Sequence, residues 1–201
     1  MPSSRRRWLA AAAALAFLAA CKDAPPAGGS GNAPTPPAGQ ASAVSIDEIA
    51  SQGQGFAVGP SMAARTVYVF FDPQCPHCAA LWQAAKPLKS QARFVWLPVG
   101  LLNANSTLQG AALLAAANPE AAMDQHEASL MAQTGGIKPE GDNDAQKASV
   151  RKNTELMNKY GFGSVPTVVA RHAQSGETVV IEGSMPTAGL AQRLGLQVPG
   201  G

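Results

Sequence analysis

The feature that most limits what this chain can fold into is the unbroken run Val67-Tyr68-Val69-Phe70-Phe71, followed after Asp72-Pro73-Gln74 by Cys75-Pro76-His77-Cys78. β-branched and aromatic residues without a polar break predict a strand buried on both faces, as in a parallel or mixed sheet. Pro76 suits the first position of a helix, where its missing N–H has no intrahelical partner to lose. The residues from Ala79 to Lys86 then continue with good helix formers. Cys75 is thereby placed at the N-cap, facing the free N–H groups of the first turn and the positive end of the helix dipole. Both favour thiolate over thiol. The expectation is an exposed, acidified Cys75 that acts as nucleophile, with Cys78 one turn further on as the resolving thiol.

Other uses of a Cys-x-x-Cys pair fit less well. Structural zinc needs two further ligands, and the chain has no second such pair and only His77, His126 and His172, none at ligand spacing. Covalent haem needs a His directly after the second Cys, where Ala79 stands. A purely structural bridge across two residues closes almost no loop and constrains the unfolded chain little. No cofactor or metal is therefore expected. His126 and His172 carry no partner motif and read as surface residues, Asp72 as an Asx-type turn residue, and Leu130-Met131 and Leu156-Met157 as core.

The N-terminus predicts export. Arg5-Arg6-Arg7 precedes an apolar stretch from Trp8 to Ala20, too short to span a bilayer but the right size for a signal-peptide core. Leu18-Ala19-Ala20-Cys21 resembles a bacterial lipobox, so residues 1–20 read as a lipoprotein signal peptide and Cys21 as the lipidated first residue of the mature chain. Lipidation also accounts for the odd cysteine among three. Ser4-Arg5-Arg6-Arg7-Trp8-Leu9 has some twin-arginine character, but an arginine cluster is ordinary in a Sec signal. Lys22 after the lipobox Cys leans toward the outer membrane under bacterial sorting habits, against the pull of Asp23. Of 15 Lys+Arg and 13 Asp+Glu, three Arg and no acid lie in the leader, leaving 12 minus 13, or −1, for the mature chain. No nucleic-acid footprint is expected from that balance. Residues 21–42, the lipidated Cys and a Pro/Gly/Ala-rich stretch, read as a tether.

Residues 43–201 are one domain's worth of chain. Ser45-Ile46-Asp47-Glu48 has the form of a capping box opening a helix through Gln52, and Gly53 to Pro60 reads as loop. Pro87 kinks or ends the helix after the cysteines. Ala92 to Val99 predicts a second buried strand, parallel to the first through that helix. Helical spacing recurs over Ser106 to Ala117, Pro119 to Gln133 and Asp142 to Tyr160. Val165 to Ala170 and Glu177 to Ile181 predict a hairpin, and Pro186 to Leu194 a closing helix. The order βαβ, helical insertion, ββα is the α/β thioredoxin-like order with a mixed central sheet.

Tyr68 to Cys78 with Leu81-Trp82-Gln83, then Asn153 to Met157, Val165-Pro166-Thr167 and Gly183 to Pro186, resemble the catalytic domain of the DsbG/DsbC group of periplasmic thiol:disulfide interchange proteins, DsbG above all. The resemblance implies Cys75 as nucleophile, Cys78 as resolving thiol, Pro166 as a cis-proline facing them, and Val165, Pro166 and Thr167 as the substrate-binding segment. Pro76-His77 and Val165 are closer to the oxidase DsbA. A protonated His77 near the helix N-terminus would favour the Cys75 thiolate, as in DsbA, whose thiol sits near ~3.5 and whose potential is about −120 mV. DsbG and DsbC carry an N-terminal dimerisation domain before the catalytic one; only a tether and a short segment precede Thr66 here, so a monomer is expected.

The functional expectation is a periplasmic, lipid-anchored thiol-disulfide oxidoreductase. Its substrates would be protein or peptide thiols, disulfides or, as in DsbG, sulfenic acids, and a membrane redox partner would reset the pair. The direction stays open between oxidase, isomerase and reductase. A tethered chaperone or binding module with a structural disulfide is the alternative, and metal delivery a weaker third.

Overall fold

The structure is a computed structural model that describes residues 43–199. The leader, Cys21 and the tether lie outside the described residues.

Ser45 caps α1 (Ile46–Gln52), its hydroxyl accepting from Glu48 N–H at 3.2 Å. The expected box is only half made. Glu48 does not reach back but receives Tyr160 Oη at 2.6 Å and Lys159, tying α1 to a later helix. The segment read as loop contains a short strand, β1 (Phe56–Val58), whose alternation buries Phe56 and Val58. Three residues flanked by glycine carry too little periodicity to stand out from sequence.

Next come β2 (Thr66–Phe71), α2 (Pro76–Ala85) and β3 (Arg93–Pro98), with α2 tightening into a 3₁₀ turn over Lys86–Leu88, where Pro87 lacks the N–H to continue an α-helix. The insertion comprises α3 (Ala104–Ala115), α4 (Pro119–Met131) and α5 (Asp144–Lys159). Helix α3 begins two residues before the apolar pattern does because Asn103 and Ser106 form a reciprocal cap. The chain closes with β4 (Thr167–Arg171), β5 (Thr178–Glu182) and α6 (Thr187–Leu194).

The five strands run in the order β1-β3-β2-β4-β5. β2 and β3 are parallel, with Val67 opposite Phe94 and Val69 opposite Trp96, while β1, β4 and β5 join antiparallel. The mixed sheet, the βαβ unit and the ββα unit match the expected order. Alternation along β2 sends Val67, Val69 and Phe71 to one face, which is covered by α2, α4 and α6, and Phe70 to the other, covered by α1 and α5. Under α2 the rings of Trp82 and Trp96 meet edge to face at 4.9 Å, with Phe71 and Phe56 completing the cluster. This dry aromatic wall is the floor on which the cysteine pair stands. Leu156 and Met157 are core as expected, whereas Met131, in the last turn of α4, is 69% exposed.

Candidate active site

The chain leaves the central strand β2 through a turn that Asp72 organises. Its buried carboxylate accepts from Gln74 N–H at 2.8 Å, the expected Asx turn, and its other oxygen accepts from Leu101 N–H at 2.8 Å and Leu102 N–H at 3.0 Å. One side chain thus fixes both loops at this end of the sheet. Cys75 follows as the extended N-cap residue of α2, with Pro76 first in the helix, and Cys78 and Ala79 N–H both reach the Cys75 carbonyl.

Across from this turn the Val165–Pro166 peptide is cis, and the Val165 carbonyl oxygen lies 3.5 Å from Cys75 Sγ. The structure therefore brings together Cys75, Pro76, His77, Cys78, Val165 and Pro166. Thr167, the first residue of β4, is buried, and its hydroxyl donates to the Ser164 carbonyl at 2.6 Å, which closes the turn around Pro166.

Cys75 is less open than its N-cap position predicts, at 5% exposed, because the Asp72–Gln74 turn and the Val165 loop flank the sulfur. Its thiol is nonetheless pulled down to about 6. The hydrogen bond from the Cys78 thiol is the main cause, opposed by burial and helped by the Cys78 and His77 amides, with the charge of His77 contributing least. The Val165 carbonyl, an acceptor, suits the thiol form, so the donors outweigh it. Cys78 is fully buried and pushed well up, first by desolvation, then by its hydrogen bond with Cys75 and the charge there, and also by Glu127. The pair is thus split into an easily ionised sulfur and one that ionises only with help. Both are free thiols in this structure.

The insertion supplies a second wall, hidden from the sequence reading. His126, expected at the surface, is fully buried. Its Nε2–H donates to the Pro73 carbonyl at 2.6 Å and its Nδ1 accepts from Ile137 N–H at 3.1 Å, which fixes a neutral ring; desolvation holds its pKa below the usual histidine value. A Cβ at Gly136, whose φ is +84°, would come within 2.5 Å of that ring. Gln74 and Gln109 pair through their amides, and Gln109 also donates to the carbonyls of Gly135 and Ile137 at 2.7 and 2.9 Å. Glu127, fully buried beside His126, has no hydrogen-bond partner for either oxygen among the described residues. A signal did exist: Met123, Glu127 and Leu130 share one stripe of α4, so an acid occupies a position where an apolar residue belongs. His172 is half-buried near the β4–β5 turn and takes no part in the site. No group of three or more His, Cys, Asp or Glu among the described residues is placed to hold a metal ion.

Residues 59–197 match the family described as a thioredoxin-like domain. The chain is 34% identical over 152 residues to the thiol:disulfide interchange protein DsbG of Pseudomonas aeruginosa, a match covering 72% of this chain and 56% of that one. It is 32% identical over 115 residues to DsbG of Escherichia coli, covering 55% and 45%. The chain thus spans about half the length of these curated relatives. Among solved structures, the thiol-disulfide exchange protein α-DsbA2 of Wolbachia pipientis superposes with a TM-score of 0.59 at 16% identity, over 75% of this chain and 92% of that one. The catalytic domain of Proteus mirabilis ScsC gives 0.57 at 18%, over 74% and 96%. At those identities the likeness is one of fold.

Proposed function

The chain belongs to the thioredoxin-like domain family, and on that premise we propose that it is an exported thiol-disulfide oxidoreductase working through Cys75 and Cys78. The observation that carries this reading is the divided pair: one sulfur at a helix N-cap lowered to about 6, the other buried and raised. A structural bridge has no use for that asymmetry. The names of the relatives, thiol:disulfide interchange proteins, support the same chemistry.

In the reducing direction the Cys75 thiolate attacks one sulfur of a substrate disulfide, the far sulfur leaves as thiolate, and Cys78 then displaces the substrate to give the Cys75–Cys78 disulfide. Oxidation of a substrate dithiol is the reverse. Cys75 ionises readily, which stabilises the reduced pair and raises the potential relative to a pair of ordinary thiols. His77 and Pro76 tune this modestly, and the backbone of the half-buried Val165 beside Pro166 receives an extended substrate segment, with Thr167 holding that turn in place. Substrates are protein or peptide thiols and disulfides and, through the same attack on sulfur with water as the leaving group, sulfenic acids.

The proposal extends to location: cleavage before Cys21, lipidation there, and a periplasmic domain tethered to a membrane, the outer one favoured, where a membrane redox partner resets the pair. Among the described residues no helix is long and apolar enough to cross a membrane. Equilibration with glutathione buffers tests the chemistry. A potential above about −200 mV is expected, and one below roughly −300 mV would mean a stable structural bridge. Cys75→Ser should abolish exchange; full function in cells after that change would favour a tethered binding module. Mass spectrometry of the mature chain tests the anchor, an unmodified Cys21 overturning it.

A further inference from the structure

Resting on the exchange reading above, we propose that Glu127 is the proton acceptor and donor for Cys78, a buried base supplied by the helical insertion rather than by the sheet.

Cys78 has to lose its proton to attack the mixed disulfide on Cys75, yet it is 0% exposed, so hydroxide and buffer bases have no direct access. Helix α4 packs on α2, held there by Trp82 Nε1–H donating to Asp124 at 2.7 Å and by the Lys86–Asp124 ion pair. One turn beyond Asp124, Glu127 places a carboxyl group inside the molecule, also at 0% exposure, with both oxygens unpartnered among the described residues. An unpartnered buried carboxyl destabilises a fold, whereas an apolar residue there would be welcome. The neighbouring positions show that this helix can satisfy its polar groups: Asp124 meets Trp82 and Lys86, and both ring nitrogens of His126 are bonded. Glu127 alone is left free to exchange a proton.

Its surroundings make the timing work. The titratable groups facing it are Cys75, the N-cap of α2, and Cys78; on its own helix Asp124 is turned to Trp82 and Lys86 and His126 to Pro73 and Ile137, and the Asp72 carboxylate before α2 is committed to backbone donors. The facing elements α3 and β1 bring no titratable side chain. Burial first, and the Cys75 thiolate second, raise the Glu127 carboxyl to about 8, so it is protonated while Cys75 is a free thiolate. Formation of the mixed disulfide removes that negative charge. Glu127 then ionises more readily, its proton passing through a bridging water to solvent or to the thiolate released as the mixed disulfide forms, at the stage where Cys78 needs a base. The step balances as Cys78–SH, the Glu127 carboxylate and the Cys75–S–S–substrate bond going to the Cys75–Cys78 disulfide, the Glu127 carboxylic acid and a substrate thiolate. Proton transfer runs through a side-chain rotation or one bridging water, since no direct hydrogen bond joins the groups at rest. In the opposite direction Glu127 returns the proton to the departing Cys78 sulfur.

Reaction of the reduced full chain with dithiobis(nitrobenzoate) separates the two steps. Attack by Cys75 releases one coloured thiolate and resolution by Cys78 releases the second. The expected result for Glu127→Gln is an unchanged or slightly faster first phase and a second phase slowed at least about tenfold at neutral pH. The wild-type second phase should carry an ionisation below that of Cys78, missing in the variant. If Glu127→Gln folds poorly, Glu127→Leu fills the site with an apolar residue and should show the same slow second phase. A second phase of wild-type speed and pH profile in either variant, or a wild-type profile lacking that ionisation, would overturn the proposal. A wild-type chain showing neither phase would sink the exchange reading and this proposal with it.

Discussion

The cysteine pair stands between two walls of opposite construction. On the sheet side Trp82, Trp96, Phe71 and Phe56 pack as a dry cluster without a buried charge. On the insertion side lie Gln109, His126 and Glu127, all buried and polar. The first wall contributes stability through area and shape. The second spends part of that stability on groups that hold the Pro73 carbonyl and the Gln74 side chain in place and set the charge around two sulfurs. Holding the fold and tuning the chemistry are thus assigned to different halves of one domain.

The sharpest attempt to break this division is Trp96→Ala, which should lose about 3–5 kcal/mol in chemical denaturation while leaving the Cys75 titration, followed by thiolate absorbance, close to wild type. A large shift in that titration would show that the aromatic wall also tunes the site. On the other wall, Glu127 is raised in the fold from 4.5 to about 8. Between those values the unfolded chain has already lost the proton that the folded chain keeps, so stability falls as pH rises through that window, by about 3–5 kcal/mol at most. Glu127→Gln should flatten that limb in a pH series of denaturation curves. His126 has the opposite sign. Its folded pKa is lowered, so the unfolded state takes up protons first as pH falls below the ordinary histidine value of 6.5, and stability declines on the acid side. The same series should show that decline, and His126→Gln should remove it.

A smaller effect is expected from Gln109→Ala, which leaves the Ile137 carbonyl without its donor and the Gly135 carbonyl with only the long bond from Gln74, and should lose about 1–3 kcal/mol, with a measurable change in Cys75 alkylation rate as Gln74 loses its partner. Unchanged alkylation would detach this network from the chemistry. Smallest of all is Glu120→Gln, which breaks an exposed pair with Lys89 and should move stability by less than about 0.5 kcal/mol.

How much of this was legible beforehand differs between the same two walls. The β2 strand, the Cys75 cap, the parallel partner strand and the final hairpin all announce themselves through local pattern, because each is built from consecutive residues. The polar wall is assembled by contacts between residues far apart in sequence, His126 meeting Pro73 and Gln109 meeting Gln74, as is the tie on the other face, where Asn153 donates to the Gln54 and Pro98 carbonyls. Nothing local to His126 distinguishes a ring pointing inward from one in water. The burial of Cys75 leaves no local trace for the same reason, since part of its cover comes from a segment ninety residues away. Strand β1 is illegible because three residues give periodicity almost nothing to work on.

Asp72 has a practical meaning for protein engineering. Its carboxylate joins the turn before Cys75 to the Leu101–Leu102 loop, so the four-residue Cys-x-x-Cys segment is not a self-contained cartridge. Grafted onto another scaffold without Asp72 and a loop offering those two amides, it would keep its thiols but lose the anchor that aims them. The smallest transplantable unit of this site is two loops and the acid between them.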